Sequence, residues 1–166
     1  ASYEKMRFSY QEYFERMTDR KSWGKPLSAL LGALKMQVEF GLPSIGGKDS
    51  MSGTFENINV PPMLMAFGIT TVDAGQVISP ELKYEGNKLY LIKHTPLANH
   101  MPDVEQLKAN WNYIHEQIQA ENIVSGYALG FGGLAEAICK MSFGNGLDAK
   151  IRYDEKELFN YAYGSI

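Results

Sequence analysis

An α+β fold is what this 166-residue chain predicts. Apolar stripes at helical spacing and short apolar runs of strand length occur in both halves. They do not alternate strictly as strand, helix, strand, and no short-period repeat links them, which favours helices packed on one side of a sheet. Apolar residues make up 45% and charged residues 21%, near the globular norm, which excludes disordered and collagen-like classes.

The first half opens with an expected helix over residues 9–17, where Ser9 precedes Glu12 at capping-box spacing. A polar turn over 19–25 follows, and Pro26 stands where a second helix would begin. Leu27, Leu30, Leu31, Leu34 and Val38 repeat at three and four and predict its buried stripe, with Gly41 as C-cap. Residues 42–45 read as a strand feeding a glycine turn. Residues 63–72 are a continuous apolar run, expected to be a well-buried strand.

Residues 79–87 carry turn residues and mark a boundary between two lobes, 1–80 and 81–166. A strand is expected over 88–93. Pro102-Asp103 opens a long helix with Val104, Leu107, Trp111, Ile114 and Ile118 inward. Residues 123–131 read as a strand, 132–133 as a turn and 134–143 as a helix with Leu134, Ile138 and Met141 inward. A strand over 147–151 and a short helix capped by Asp154 and Glu157 complete the chain. The Tyr-rich ends are most simply core, although Tyr10, Tyr13 and Phe14 could pack against another part of a longer protein. The absent initiating Met and the terminal Gly-Ser-Ile suggest a piece cut from such a protein.

The net charge of −3 gives no basic footprint for nucleic acid. No apolar run approaches the roughly 20 residues that span a bilayer, and no leader pattern opens the chain. A cytoplasmic setting without membrane or nucleic-acid partners is therefore expected. Cys139 is alone and mid-helix, which favours packing over nucleophilic chemistry. His94, His100 and His115 lack metal-ligand spacing, and the rings of His94 and His100 are expected to meet solvent.

Two glycine loops are the candidate sites. In Gly46-Gly47-Lys48-Asp49-Ser50-Met51-Ser52-Gly53 the glycines allow close approach of a ligand, Lys48 supplies charge, and Ser50 and Ser52 supply hydroxyl donors for phosphate. It is not a Walker A loop, because Leu42 and Asp49 occupy positions that motif reserves for Gly and Ser or Thr. An ordinary surface turn is the competing reading. The second loop, Gly130-Phe131-Gly132-Gly133-Leu134-Ala135, mimics the spacing of a dinucleotide fingerprint. Without a surrounding βαβ unit it reads better as a tight strand-to-helix turn.

The stretches Gly46 to Phe55, Val60-Pro61-Pro62 and Ile78 to Lys83 resemble the phosphoribosylformylglycinamidine synthase family, in its large purine-biosynthesis form. Phe14-Glu15-Arg16-Met17, Trp23-Gly24-Lys25-Pro26 and Ala29 to Ala33 also fit it. The resemblance covers most of the chain and implies an aminoimidazole ribonucleotide synthetase-like module. Residues 1–80 would end its N-terminal half and 81–166 begin its C-terminal half, within the second of two modules.

The family is an ATP- and Mg²⁺-dependent ligase that converts formylglycinamide ribonucleotide and glutamine-derived ammonia to the amidine. The chain would be inactive alone, because the glutaminase centre and the catalytic histidine have no matching motif here. Its expected partners are the first module and the glutaminase domain, and uncovered parental interfaces would favour self-association. The resemblance places Gly47 at the nucleotide and Ser50 at the substrate phosphate; Gly46 is expected beside the nucleotide, and Lys48, Asp49 and Ser52 beside the phosphate. Lys48 falls where short-form relatives carry a metal-binding asparagine, which a protonated lysine cannot replace. Asp49 would either orient Lys48 or lie near a metal.

The second loop matches the family's His-Asp-x-Ser-x-Gly-Gly-Leu motif, but Ala128 replaces the metal-binding Asp and Gly130 the Ser. The auxiliary nucleotide site is therefore expected to be empty or altered. Two alternatives remain: a scaffold module of the same enzyme, and another ATP-using member of the superfamily, such as a selenophosphate synthetase-like or thiamine phosphate kinase-like protein.

Overall fold

Residues 7–11 alternate polar and aromatic side chains, a period that suits a strand. In the computed structural model, which describes residues 1–166, Arg7–Tyr13 forms strand β1, not the helix the Ser9–Glu12 spacing suggested. The capping-box spacing lost to pairing on both sides. β1 runs parallel to β2 (Ser44–Ser50) and antiparallel to β5 (Met63–Ile69), giving a three-stranded sheet in the order β2-β1-β5. Two-sided pairing satisfies the β1 backbone in a way one isolated helical turn cannot. A small hairpin, β3 (Thr54–Phe55) and β4 (Ile58–Asn59), sits between β2 and β5.

Helix α1 (Arg20–Phe40) connects the parallel strands β1 and β2, so the first half does contain one βαβ unit. It starts six residues before Pro26. The Asp19 carboxylate accepts the Ser22 N–H at 2.8 Å, and the Ser22 hydroxyl accepts the Asp19 N–H at 3.0 Å. This capping box outranks the proline, which sits inside the helix with its ring buried. Gly41 closes the helix in the left-handed region at φ 68°, as expected of a C-cap.

The inward stripe of α1 is not the leucine stripe. Ser22 and Pro26 are buried, and Ala29, Ala33, Met36 and Phe40 are half-buried on the same face. Leu27, Leu30, Leu31, Leu34 and Val38 are 46–71% exposed. β5 is likewise less buried than its apolar run suggested, with Met63, Phe67 and Ile69 exposed. It is an edge strand, and the run ends at Ile69 rather than at residue 72.

The chain divides into two compact units, Ala1–Thr71 and Val72–Ile166. Residues 79–83, read from sequence as the junction, pack inside the second unit: Leu82 donates to the Met141 carbonyl at 2.8 Å, and Ser79 bridges Ser125. Helix α2 (Val104–Gln119) begins where Pro102-Asp103 predicted, with the Asp103 carboxylate accepting the Gln106 N–H at 3.0 Å. Leu107 is buried, and Val104, Trp111, Ile114 and Ile118 are half-buried beside it. Helix α3 (Gly133–Phe143) buries Ala137 and Met141, with Leu134 and Ile138 half-buried, and leaves Cys139 exposed rather than packed.

The strands expected over 88–93, 123–131 and 147–151 do not form. Each run has strand composition, yet a strand exists only with a partner in register. Ile92 exchanges both backbone hydrogen bonds with Ile166, and Leu129 donates to the Ser165 carbonyl, single pairings without a ladder. Residues 154–160 form turns rather than a helix, with Asp154 accepting the Lys156 N–H.

Candidate functional site

The first glycine loop is largely strand β2. Its register sets Tyr10 beside Gly47, Gln11 beside Lys48, Glu12 beside Asp49 and Tyr13 beside Ser50. Paired residues in a sheet project to the same face and successive residues alternate, so the candidate residues separate. Lys48 and Ser50 share one face with Gln11 and Tyr13. Asp49 lies on the other, with Glu12, Tyr10 and Phe8. Ser52 follows the strand, exposed, and its carbonyl accepts the Thr54 N–H at 2.8 Å.

Lys48 is exposed, and its Nζ donates to the Asp49 carbonyl at 2.9 Å. This contact is to backbone, so the lysine does not neutralise the Asp49 carboxylate. Ser50 is half-buried and its carbonyl accepts the Phe14 N–H at 2.8 Å, anchoring this end of the strand. Phe14 is 1% exposed, the most buried apolar side chain of the first unit.

The glycines have separable reasons. A Cβ on Gly47 would stand 2.4 Å from the Tyr10 carbonyl oxygen, so close approach to β1 requires glycine there. A Cβ on Gly53 would stand 2.4 Å from Val60 Cγ1. Gly46 has no atom within 4 Å of its would-be Cβ, and no packing contact demands glycine there.

Glu12 is the group that sequence reasoning missed. It is 8% exposed, on the central strand, and its Oε2 is buried without a hydrogen-bond partner. Burial pushes its carboxyl above the usual carboxylate range, and the neighbouring Asp49 charge adds to this. Recognising residues 7–13 as a strand would have put Glu12 on the Phe8–Tyr10 face, whose rings lie 5.9 Å apart.

The second loop has its backbone groups engaged within the chain. Gly133 opens α3 at φ 59°, where a Cβ would meet the Asn160 carbonyl oxygen at 2.1 Å. The Ala135 N–H donates to the Leu158 carbonyl at 2.9 Å, and the Gly132 N–H to the Glu136 carboxylate at 2.9 Å. The donors that a dinucleotide phosphate would use are thus taken by residues 136 and 158. Ala128 offers no oxygen ligand from its side chain. The Glu136 carboxyl is held below its usual range by Lys140 and by the Gly132 N–H. Lys140 Nζ also lies 5.8 Å from the Tyr127 ring centroid.

His94 is buried rather than solvent-facing, with both ring nitrogens engaged by backbone groups. No cluster of three or more His, Cys, Asp or Glu gathers to hold a metal. Glu12 and Asp49 stand paired on adjacent strands, two carboxylates rather than a ligand set. No helix is long and apolar enough to cross a membrane. No protein-family model and no curated protein matches the chain.

Proposed function

We propose that the chain is part of an ATP-dependent ligase of purine biosynthesis and that β2 supplies its substrate-phosphate contacts. In this reading the enzyme converts formylglycinamide ribonucleotide and ammonia to the amidine. The observation that carries the proposal is the pairing of Lys48 and Ser50 on one face of β2, beside Gln11 and Tyr13. A cation and a hydroxyl two residues apart on a strand lie about 7 Å apart along it, within reach of one phosphate group. The Gly46 to Phe55 text supplies the substrate class through its family resemblance. Gly46, free of packing demands, is open to a ligand's approach.

A scaffold role is the second reading, and the exposed leucine face of α1 favours it. A purely scaffolding module has no use for Ser50 in catalysis. The test is steady-state kinetics of Ser50→Ala in the intact enzyme, varying formylglycinamide ribonucleotide, with melting as the folding control. Loss of a charge-assisted phosphate contact lowers kcat/KM by about 1.5–3 kcal/mol of transition-state stabilisation. Wild-type kinetics, or an intact protein that does not turn over this ribonucleotide, would overturn the proposal.

A further inference from the structure

We infer that the leucine face of α1 pairs with the same face of a second copy of the chain, antiparallel, about a two-fold axis between Leu30 and Leu31. The inference holds whether or not the ligase reading does. Trp23, Leu27, Leu30, Leu31, Leu34 and Val38 lie along one side of the helix, and all six are exposed. They form a contiguous apolar stripe, unlike the single apolar residues normal on a monomer's surface. The chain's own core does not use them, because α1 turns Ser22, Pro26, Ala29 and Ala33 inward.

The spacing of the stripe points to its occupant. The six positions are separated by 4, 3, 1, 3 and 4 residues, the same read from either end. A copy turned end for end therefore sets Trp23 level with Val38, Leu27 level with Leu34 and Leu30 level with Leu31, the isologous contact of a two-fold dimer. Separations of three and four suit helices that pair along their length. The charges favour the same direction. Arg20 and Lys21 open α1, with no acidic residue in its first turn; its last turn holds Glu39 and no basic residue. Two cations at the positive end of their own helix dipole are disfavoured. Neither forms a salt bridge within the chain, and the Asp19 cap is one carboxylate beside two cations. An antiparallel copy brings its last carbonyls and Glu39 toward them, whereas a parallel copy would set cation against cation. Glu39 also holds Lys35 of its own helix, so this attraction sets direction more than strength.

A contact along one helix is at the small end of protein interfaces, so a Kd of roughly 1–100 μM is expected. The test is sedimentation equilibrium of the purified chain from about 1 to about 300 μM, a range that brackets this Kd. The mean mass should climb from 18.6 kDa toward twice that value. Leu31 lies next to the axis and so beside its own copy. Leu31→Glu and Leu31→Lys should each weaken association about tenfold or more, like charge against like, and an equal mixture of the two should restore it. Leu31 is exposed, so both variants should fold, with melting as the control. Phe143→Glu, at an exposed residue of α3, should leave the dimer in place. A parent chain that stays at 18.6 kDa throughout would overturn the inference and leave the stripe to another occupant. So would a dimer that Leu31→Glu does not weaken, or a mixture that associates no better than either variant alone.

Discussion

His94 Nε2 accepts the backbone N–H of Asp103 at 3.1 Å, and its Nδ1 lies 3.1 Å from the Tyr163 carbonyl oxygen. An N–H needs an acceptor and a carbonyl needs a donor, so the ring is the neutral tautomer with its proton on Nδ1. The His94 N–H also donates to the Ser165 hydroxyl at 3.0 Å. One buried imidazole thus ties the start of α2 to residues 163–165. His94→Phe keeps most of the ring volume but strands both backbone groups. It should cost about 2–6 kcal/mol, the sum of two groups left without a partner at about 1–3 each. Urea unfolding of the purified chain measures it.

Gly164 belongs to the same arrangement. It sits at φ 84°, and a Cβ there would stand 2.8 Å from Leu107 Cδ2 and 2.9 Å from His94 Nδ1. Gly164→Ala combines backbone strain with crowding and should cost about 1–3 kcal/mol. A chain that melts unchanged would mean residues 163–165 are not docked on His94 in solution.

The two glycines of β2 separate packing from ligand approach. Gly47→Ala drives a Cβ into the Tyr10 carbonyl and should destabilise the first unit by about 1–3 kcal/mol. Gly46→Ala meets nothing and should leave the melt within about 0.5 kcal/mol. Under the proposed ligase reading, weaker ribonucleotide binding in Gly46→Ala alone, with an unchanged melt, would place Gly46 at the ligand. Unchanged binding would leave both glycines with structural explanations.

The legible part of this fold is the part written locally. The starts of α2 at Asp103 and α3 after Gly132, and the Gly41 stop of α1, each follow from residues within one turn. What escaped required knowing a distant partner. Residues 7–13 are a strand because residues 44–50 and 63–69 pair with them. Residues 88–93 are not, because their backbone pairs with another segment only where Ile92 meets Ile166. At the candidate site the residue types were readable, but their faces were not. Once β2 is a strand, Asp49 parts from Lys48 and Ser50 and joins Glu12, a residue whose burial no local pattern announced.

Acid should weaken the second unit through Glu81. Its carboxylate is held by Lys83 Nζ and by the Ser79 hydroxyl, at 2.7 Å for the latter, and its pKa is lowered to about 2 from an ordinary 4.5. A depressed carboxyl contributes stability above its unfolded value and loses it as pH falls through the folded one. The contribution is therefore complete above 4.5 and fades toward about 2. The group is at the surface, so the effect is small and screened by salt. Glu81→Gln should melt below the parent at about pH 6, with the gap closing toward about pH 3 in low salt. A gap that widens in acid would reverse the sign and remove Glu81 as its source.

Helix α1 carries two stripes, and the larger side chains are on the outer one. Size alone made Leu27, Leu30, Leu34 and Val38 the expected core face, yet the inner face is Ser22, Pro26, Ala29, Ala33 and Met36. Small residues let a helix lie close to what it covers, so volume added there is felt at once. Ala33→Leu should cost about 1–3 kcal/mol by overpacking. Leu30→Gln with Leu34→Gln should shift stability by less than about 0.5 kcal/mol per site, because 46% and 55% of these residues already meet water. Melting of the two variants at low protein concentration decides between the faces. A large loss in the leucine pair, with Ala33→Leu tolerated, would mean that the leucine stripe is covered in solution and that α1 is turned about its axis.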